Sequence, residues 1–346
     1  MSYFTNDAAR ELDGVRPGGP GWWLRGDGDT RDSRTVERVL VTSDRSRVQG
    51  YDVIIAAPRP ISILLALDPD GARGVVEAHR ASVRATMSYL EDHALVVRDR
   101  RGGGDREYAA RWESVVGFTH GLNRHGEPHL HDHVLIGARP AGERNVLDSR
   151  ALYAHAEAAD ALYRASLRHE VAQRTSWSAW RSFGGVERVV GLDEGYRALW
   201  SGHHRERGEK LAWSRDQTVA SWSRDRERYE ELGAVGAPAR GRNVLDEHRF
   251  SGALEGRSDV ARRHVLAAWA NAAPFGQDPK ELSRSIDDLF PQLDGRGVRE
   301  RPIAVRDARM ISTVRELGPR PLERASLVEW RQRSRDTVRS REGRSR

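Results

Sequence analysis

The sequence predicts an α+β fold, an antiparallel β-sheet flanked by helices with a helical extension at its C-terminal end. Three observations carry this expectation. Two β-type runs, Trp112–His120 and His129–Gly137, flank the polar, Gly- and Pro-containing connection GLNRHGEP, the pattern of an antiparallel hairpin. A third run, Tyr51–Ala57 (YDVIIAA), reads as a strand stopped by Pro58 and Pro60. Two long stretches, Asp70–His93 and Ser149–Arg174, read as amphipathic helices; in the first, Val75, Val76, Val83, Met87 and Leu90 suit one face.

The remaining elements follow in order. Residues 1–35 are rich in Gly and polar residues, with Gly-Trp-Trp at 21–23. Ile61–Asp68 looks helical, and Ala94–Arg98 reads as a short strand. Arg100–Asp105 (RRGGGD) reads as a hairpin loop. It lacks the Lys-Ser/Thr ending of a phosphate-binding loop, and no such motif occurs in the chain. Beyond Trp177 the pattern is mostly helical and strongly charged, with breaks near Gly233–Gly241 and Gly318–Pro321. These features divide the chain into a core over 1–235, a helical extension over 236–319 and a basic tail over 320–346, read as disordered.

Composition narrows the chemistry. The chain has 346 residues and no cysteine, which excludes disulfides, thiolate nucleophiles, Cys-based zinc sites and iron–sulfur clusters. No run approaches 18 apolar residues and the N-terminus has no signal pattern, so membrane insertion and secretion by that route are not expected. The net charge of +6 comes from 57 basic and 51 acidic residues, and Lys210 and Lys280 are the two lysines. The tail from Arg320 holds nine arginines against Glu323, Glu329, Asp336 and Glu342. Such a tail suits a polyanion contact or a solvated end.

Five of the 13 histidines fall between His120 and His133. In HLHDH, His129, His131 and His133 share one face of a strand. Neighbours two apart lie ~6.8 Å apart and His129 lies ~13.6 Å from His133, so only adjacent members can grip one metal. If the turn centres near Arg124–His125, His120 falls opposite His129 to His131, where directly opposed Cβ atoms come to about 4.5–5.5 Å. His120, His131 and His133 can then form a three-His site with open positions, suited to zinc, manganese or iron. A hydrolase, an oxygenase or a nucleic-acid nickase could use such a site.

The block FTHGLNRHGEPHLHDHVLIG (118–137) resembles the three-histidine motif of the MobF-class conjugative relaxases of the TrwC/TraI type, which belong to the HUH endonucleases. Phe118, His120, Leu130, His131, His133 and the apolar run from Val134 match the family pattern. GYDVIIAAPRPISILLAL (50–67), LDSRALYAHAEAADALYRASLRHEV (147–171) and GWWLRGDG (21–28) resemble further family blocks, in family order. The resemblance covers roughly the first half of the chain.

The resemblance implies an HUH-type sheet and a relaxase that nicks one DNA strand at a plasmid or integrative-element transfer origin, then religates it. The metal at His120, His131 and His133 would be magnesium or manganese, with zinc also compatible. It would withdraw charge from the scissile phosphate while Tyr3, the one tyrosine upstream of Trp22, attacks and becomes 5′-phosphotyrosine. Asp52 takes the place of the family aspartate that orients a ligand histidine and helps deprotonate the nucleophile. Arg59, Arg164, Arg168, Trp22 and Trp23 are the implied DNA contacts, and Tyr51 and Tyr108 are fallback nucleophiles. Trp177, Trp180, Trp200, Trp213 and Trp222, lying among arginines, could stack bases, although packing explains each of them better. The expected partners are single-stranded and transfer-origin DNA, a separate helicase, an accessory DNA-binding protein and a coupling protein, in the cytoplasm. No helicase motif follows the core.

Two departures stand out. Ala138 occupies the position of a family Asn. Asp132 stands between two ligands where the family has Thr or an apolar residue, on the opposite strand face. Rival readings are a rolling-circle replication initiator, a degenerate relaxase that binds DNA without cutting it and, more distantly, a three-His iron oxygenase.

Overall fold

The computed structural model describes residues 21–26, 39, 48–99, 106–123, 126–143, 145–182, 184–200, 220–225, 227, 245–255, 257, 260–294 and 314–317. Nine strands are named β1 (Trp22–Arg25), β2 (Gly50–Ala56), β3 (Val96–Asp99), β4 (Arg106–Ala109), β5 (Val115–Leu122), β6 (Pro128–Gly137), β7 (Ala179–Arg181), β8 (Glu187–Val189) and β9 (Val314–Leu317). The helices are α1 (Arg59–Leu67), α2 (Ala72–Ala94), α3 (Ser149–Arg174), α4 (Glu194–Leu199), α5 (Glu247–Leu254), α6 (Arg262–Ala272) and α7 (Pro279–Asp294).

The main sheet has the order β1-β5-β6-β2-β9, and every neighbouring pair is antiparallel. The α+β expectation therefore holds. The β5–β6 hairpin is present, its first strand beginning three residues later than Trp112. β3 and β4 form a separate hairpin; the Arg100–Asp105 loop lies outside the described residues. Pro60 does not merely stop β2. It sits in the first turn of α1, where its missing N–H costs no helical hydrogen bond.

Alternation along β6 makes the sheet two-faced. Leu130, Val134 and Ile136 point to one face, and their side chains are fully buried. Val53 and Ile55 of β2 share that face, against which α2 packs. α2 brings Val75, Val76, Val83, Met87 and Leu90 into the same core, and α3 lies beside α2 with Leu162, Leu167 and Val171. The expected bounds of α3 are reproduced at both ends; Asp148 caps its start by accepting a hydrogen bond from the backbone N–H of Arg150, and Thr175 closes its end with its backbone N–H on the Val171 carbonyl.

The region expected to be mostly helical beyond Trp177 also contains strands. It contains the β7–β8 hairpin, and β9 pairs with β2 at the edge of the main sheet. α6 packs along α3, contributing Val265 and Leu266 to the shared core. A clamp joins these parts. Arg168 of α3 is fully buried and donates to Glu187 of β8 at 2.8 Å and to the carbonyls of Ala270 and Ala273 at 2.9 and 3.0 Å. Arg181 reaches the same Glu187 oxygen at 3.0 Å.

Removing one member of a buried ion pair leaves the other charge without its full set of partners. Arg168→Ala should therefore lower the unfolding free energy by about 3–5 kcal/mol in a denaturant titration. A pH effect is also expected at His155, whose Nδ1 lies 2.7 Å from the Tyr89 hydroxyl. Burial first, then nearby Arg263 and other cationic groups, lower its pKa to about 4. Above pH ~6.5 neither the folded nor the unfolded state binds this proton; between there and about 4 only the unfolded state does, so stability falls as pH falls. Asp160, pushed up to about 6 by burial, acts in the opposite sense as pH falls. Comparing His155→Gln with the wild type isolates the histidine: the variant should lose less stability between pH 6.5 and 4.

Candidate functional site

The site is built on the other face of the sheet by the β5–β6 pair. His120 lies directly opposite His131, and Phe118 opposite His133. His131 and His133 are two residues apart, so all three imidazoles project from the same face. One ring nitrogen from each of His120, His131 and His133 lies within 4.8 Å of the others. The ring centroids are 5.1 to 5.4 Å apart. His129 stands outside this group, with its ring 4.7 Å from that of His131.

β2 lies on the far side of β6 and carries Asp52 on the histidine-bearing face. Its register sets Asp52 opposite Leu135 and Ile54 opposite His133. Both Asp52 oxygens reach His133 Nδ1, at 2.9 and 3.0 Å. A carboxylate can only accept, so His133 donates from Nδ1 to Asp52, which leaves Nε2 as its ring nitrogen for a metal. The His129 carbonyl does the same for His131 Nδ1 at 2.8 Å. Burial, followed by the neighbouring His120, His129 and His133, holds the His131 pKa well below the ordinary value. Burial and then Arg59 lower that of His129 to about 4. Three ring nitrogens within 4.8 Å of one another make a donor set that fits a divalent cation.

The reverse face carries Asp132, the charge noted between two of the histidines, and its partners come from elsewhere in the chain. Asp132 is fully buried between His131 and His133, directly across from Thr119. It accepts a hydrogen bond from Trp22 Nε1 at 3.0 Å, and His79 Nε2 lies 3.2 Å from its other oxygen. His79 Nδ1 meets the Tyr163 hydroxyl at 2.7 Å, and Arg80 donates to Thr119 at 3.0 Å. Burial alone would raise the Asp132 pKa; His79, Thr119 and Arg80 outweigh it and keep the carboxyl below its usual range.

A family model described as TrwC relaxase matches residues 8–258, well over half of the chain. The chain belongs to the TrwC relaxase family. The conjugative relaxase TrwC in a metal-bound complex with oriT DNA is 19% identical, with a TM-score of 0.51 over 68% of this chain and 94% of that one. TrwC in complex with mutant oriT DNA is also 19% identical, with a TM-score of 0.48 over 60% and 87%. The first of these likenesses establishes a shared relaxase fold. No curated protein matches the sequence.

Placed in the relaxase fold, the remaining candidate residues separate. Arg168 is withdrawn as a DNA contact, since its guanidinium is consumed inside the protein by Glu187 and two carbonyls. Arg164 pairs with Asp160 one helical turn away, at 2.9 Å. Arg59 donates to Glu127 at 2.7 Å and to the Pro128 carbonyl at 3.1 Å, so it braces the turn of the histidine hairpin. Trp22 lies flat on Gly117, where an added Cβ would come within 2.8 Å of the indole, and Arg84 stacks over its ring at 4.6 Å. That places Trp22 on the face away from the histidines. Trp23 pairs with Val116 and lies on the histidine face, half-buried.

Tyr51 is buried on the helix-packed face of β2 and is removed as a nucleophile candidate. Tyr108 stands on β4, away from the histidine sheet, and its hydroxyl donates to Glu143 at 2.7 Å. Tyr3, Trp213 and the tail over 320–346 lie outside the described residues. Trp177, Trp200 and Trp222 are packed, their indole N–H groups bonded to Asp68, Asp225 and the Gly126 carbonyl. Among the described residues, no helix is long and apolar enough to cross a membrane.

Manganese at 100 times its Kd should stabilise the wild type by about 2.7 kcal/mol and leave His131→Ala unaffected in thermal melts. Asp52→Asn should weaken manganese binding by about 10- to 100-fold in calorimetric titration, because His133 loses its anionic partner.

Proposed function

We propose that this chain nicks one strand of DNA at a plasmid or integrative-element transfer origin by tyrosine transesterification and reseals it by the reverse step. The observation that carries the reading is the convergence of His120, His131 and His133, with Asp52 on His133, in a member of the TrwC relaxase family. The three histidines would hold a divalent cation, magnesium or manganese, with zinc compatible with the same donors. When bound, that ion supplies a Lewis acid beside the scissile phosphate.

The chain's own groups do the rest. Asp52 keeps His133 in the tautomer that presents Nε2, and in this proposal it also receives the phenol proton of Tyr3. The Tyr3 oxygen forms a bond to phosphorus as the bond from phosphorus to the 3′ oxygen breaks. The 3′ oxygen takes up a proton, and the 5′ end remains as phosphotyrosine. One phosphodiester replaces another, so religation needs no ATP. Trp23, on the histidine face, is placed to stack a base of the bound single strand. Arg59 acts first on the hairpin turn and only secondarily on phosphate. A separate helicase, an accessory DNA-binding protein and a coupling protein complete the proposed partners.

The test is covalent. Wild-type protein with manganese and labelled single-stranded origin DNA should yield a protein–DNA adduct on a denaturing gel. Phenol has a reference pKa of about 10, so the reaction depends on its activation. Tyr3→Phe should keep DNA affinity within about twofold of wild type, since one hydroxyl is removed, and should lose adduct and nicking together. An adduct formed by Tyr3→Phe would show that another residue is the nucleophile.

A further inference from the structure

The histidine hairpin has an ambiguity built into its sequence. His129, His131 and His133 recur at every second position of β6. Slipping β6 by two residues against β5 keeps every side chain on its own face. One such slip would set His129 opposite His120 and His131 opposite Phe118, a second three-histidine arrangement that leaves His133 out. The helix-packed face would tolerate the slip, because Leu130, Val134 and Ile136 are interchangeable apolar residues.

Asp132 breaks this near-degeneracy. In the observed register it faces Thr119, on the rung between the His120–His131 and Phe118–His133 pairs. Its partners come from separate elements: Trp22 from β1, His79 from α2 and, through His79, Tyr163 from α3. Arg80, also from α2, holds Thr119. A two-residue slip would move Asp132 opposite Gly117 or Gly121 and set Leu130 or Val134 against Thr119. The carboxylate would then be buried away from its partners, which costs several kcal/mol. A buried carboxylate seldom outperforms apolar packing in stability, and selection of register is a role that accounts for one on this face.

We propose that Asp132 is a positioning residue that selects, from the reverse face of the sheet, the register in which His131 and His133 join His120. The turn contacts of Glu127 with Asn123 and Arg59 set the length of the hairpin at its tip; Asp132 sets it at the ligands. The inference rests on the metal reading of the three histidines.

Co(II) titration of the full chain, followed by its d–d absorption, tests it. In the wild-type background, His133→Gln should weaken Co(II) binding by about 100-fold, while His129→Gln should stay within about twofold. Asp132→Val with His79→Leu replaces the carboxyl–imidazole pair by apolar groups. It should bind Co(II) about tenfold more weakly with a shifted d–d spectrum, and adding His129→Gln should now cost at least about fivefold more. Asp132→Asn keeps the side-chain volume and should show the same trend; it serves if the double variant does not fold. Variants that keep the wild-type affinity, spectrum and indifference to His129 would overturn the inference, even if they melt at lower temperature. Wild-type protein that takes up no Co(II) would instead overturn the metal reading, and the inference with it.

Discussion

The pairing of His120 with His131 across the β5–β6 ladder is the constraint on which the rest of the site depends. One rung fixes two imidazoles at cross-strand distance, and strand alternation delivers the third. The β2–β6 register then places Asp52 within reach of His133 without any loop having to be ordered. A centre assembled on the middle strands of a sheet inherits the rigidity of the ladder. Little conformational entropy remains to be lost when a ligand arrives.

The sheet divides its labour between its two faces. One gathers three imidazoles, two of them held at Nδ1 by the His129 carbonyl and by Asp52. The other is a helix-covered core that nevertheless contains a carboxylate, an imidazole and a phenol in mutual contact. In such surroundings charge is costly unless partnered, and each partner here comes from a different element of secondary structure. The polar set therefore ties β1, α2 and α3 to the strand that carries two of the three histidines. Arg168 performs a similar task further along, tying α3 to β8 and to the end of α6.

Much of this site was legible in the residues. Alternating histidines on a strand, with a fourth placed across a turn, constrain geometry directly, and the long helices announce themselves by period. The fate of Arg168 was not legible. An arginine on a helix looks the same in sequence whether it faces solvent or a buried glutamate contributed 19 residues later. Trp22 and Trp23 are adjacent letters, yet the pleat sends them to opposite faces, and only the register with β5 shows which faces the histidines. β9 carries too short a pattern to be distinguished from its helical and charged surroundings. Asp132 left the one signal that could have been read further: a lone charge among Leu130, Val134 and Ile136 on the covered face of a strand requires a partner from elsewhere in the chain.

The flat seat of Trp22 on Gly117 has an optical consequence. Among the described residues, Trp177, Trp200 and Trp222 are enclosed and internally bonded, so their emission reports the integrity of the fold. Trp22 is held between a glycine backbone, a carboxylate and the guanidinium of Arg84. Its indole thus senses the field on the reverse side of the sheet, while Trp23, one residue on, senses the histidine side. The protein carries in β1 a pair of intrinsic fluorophores that view the two faces of one sheet separately.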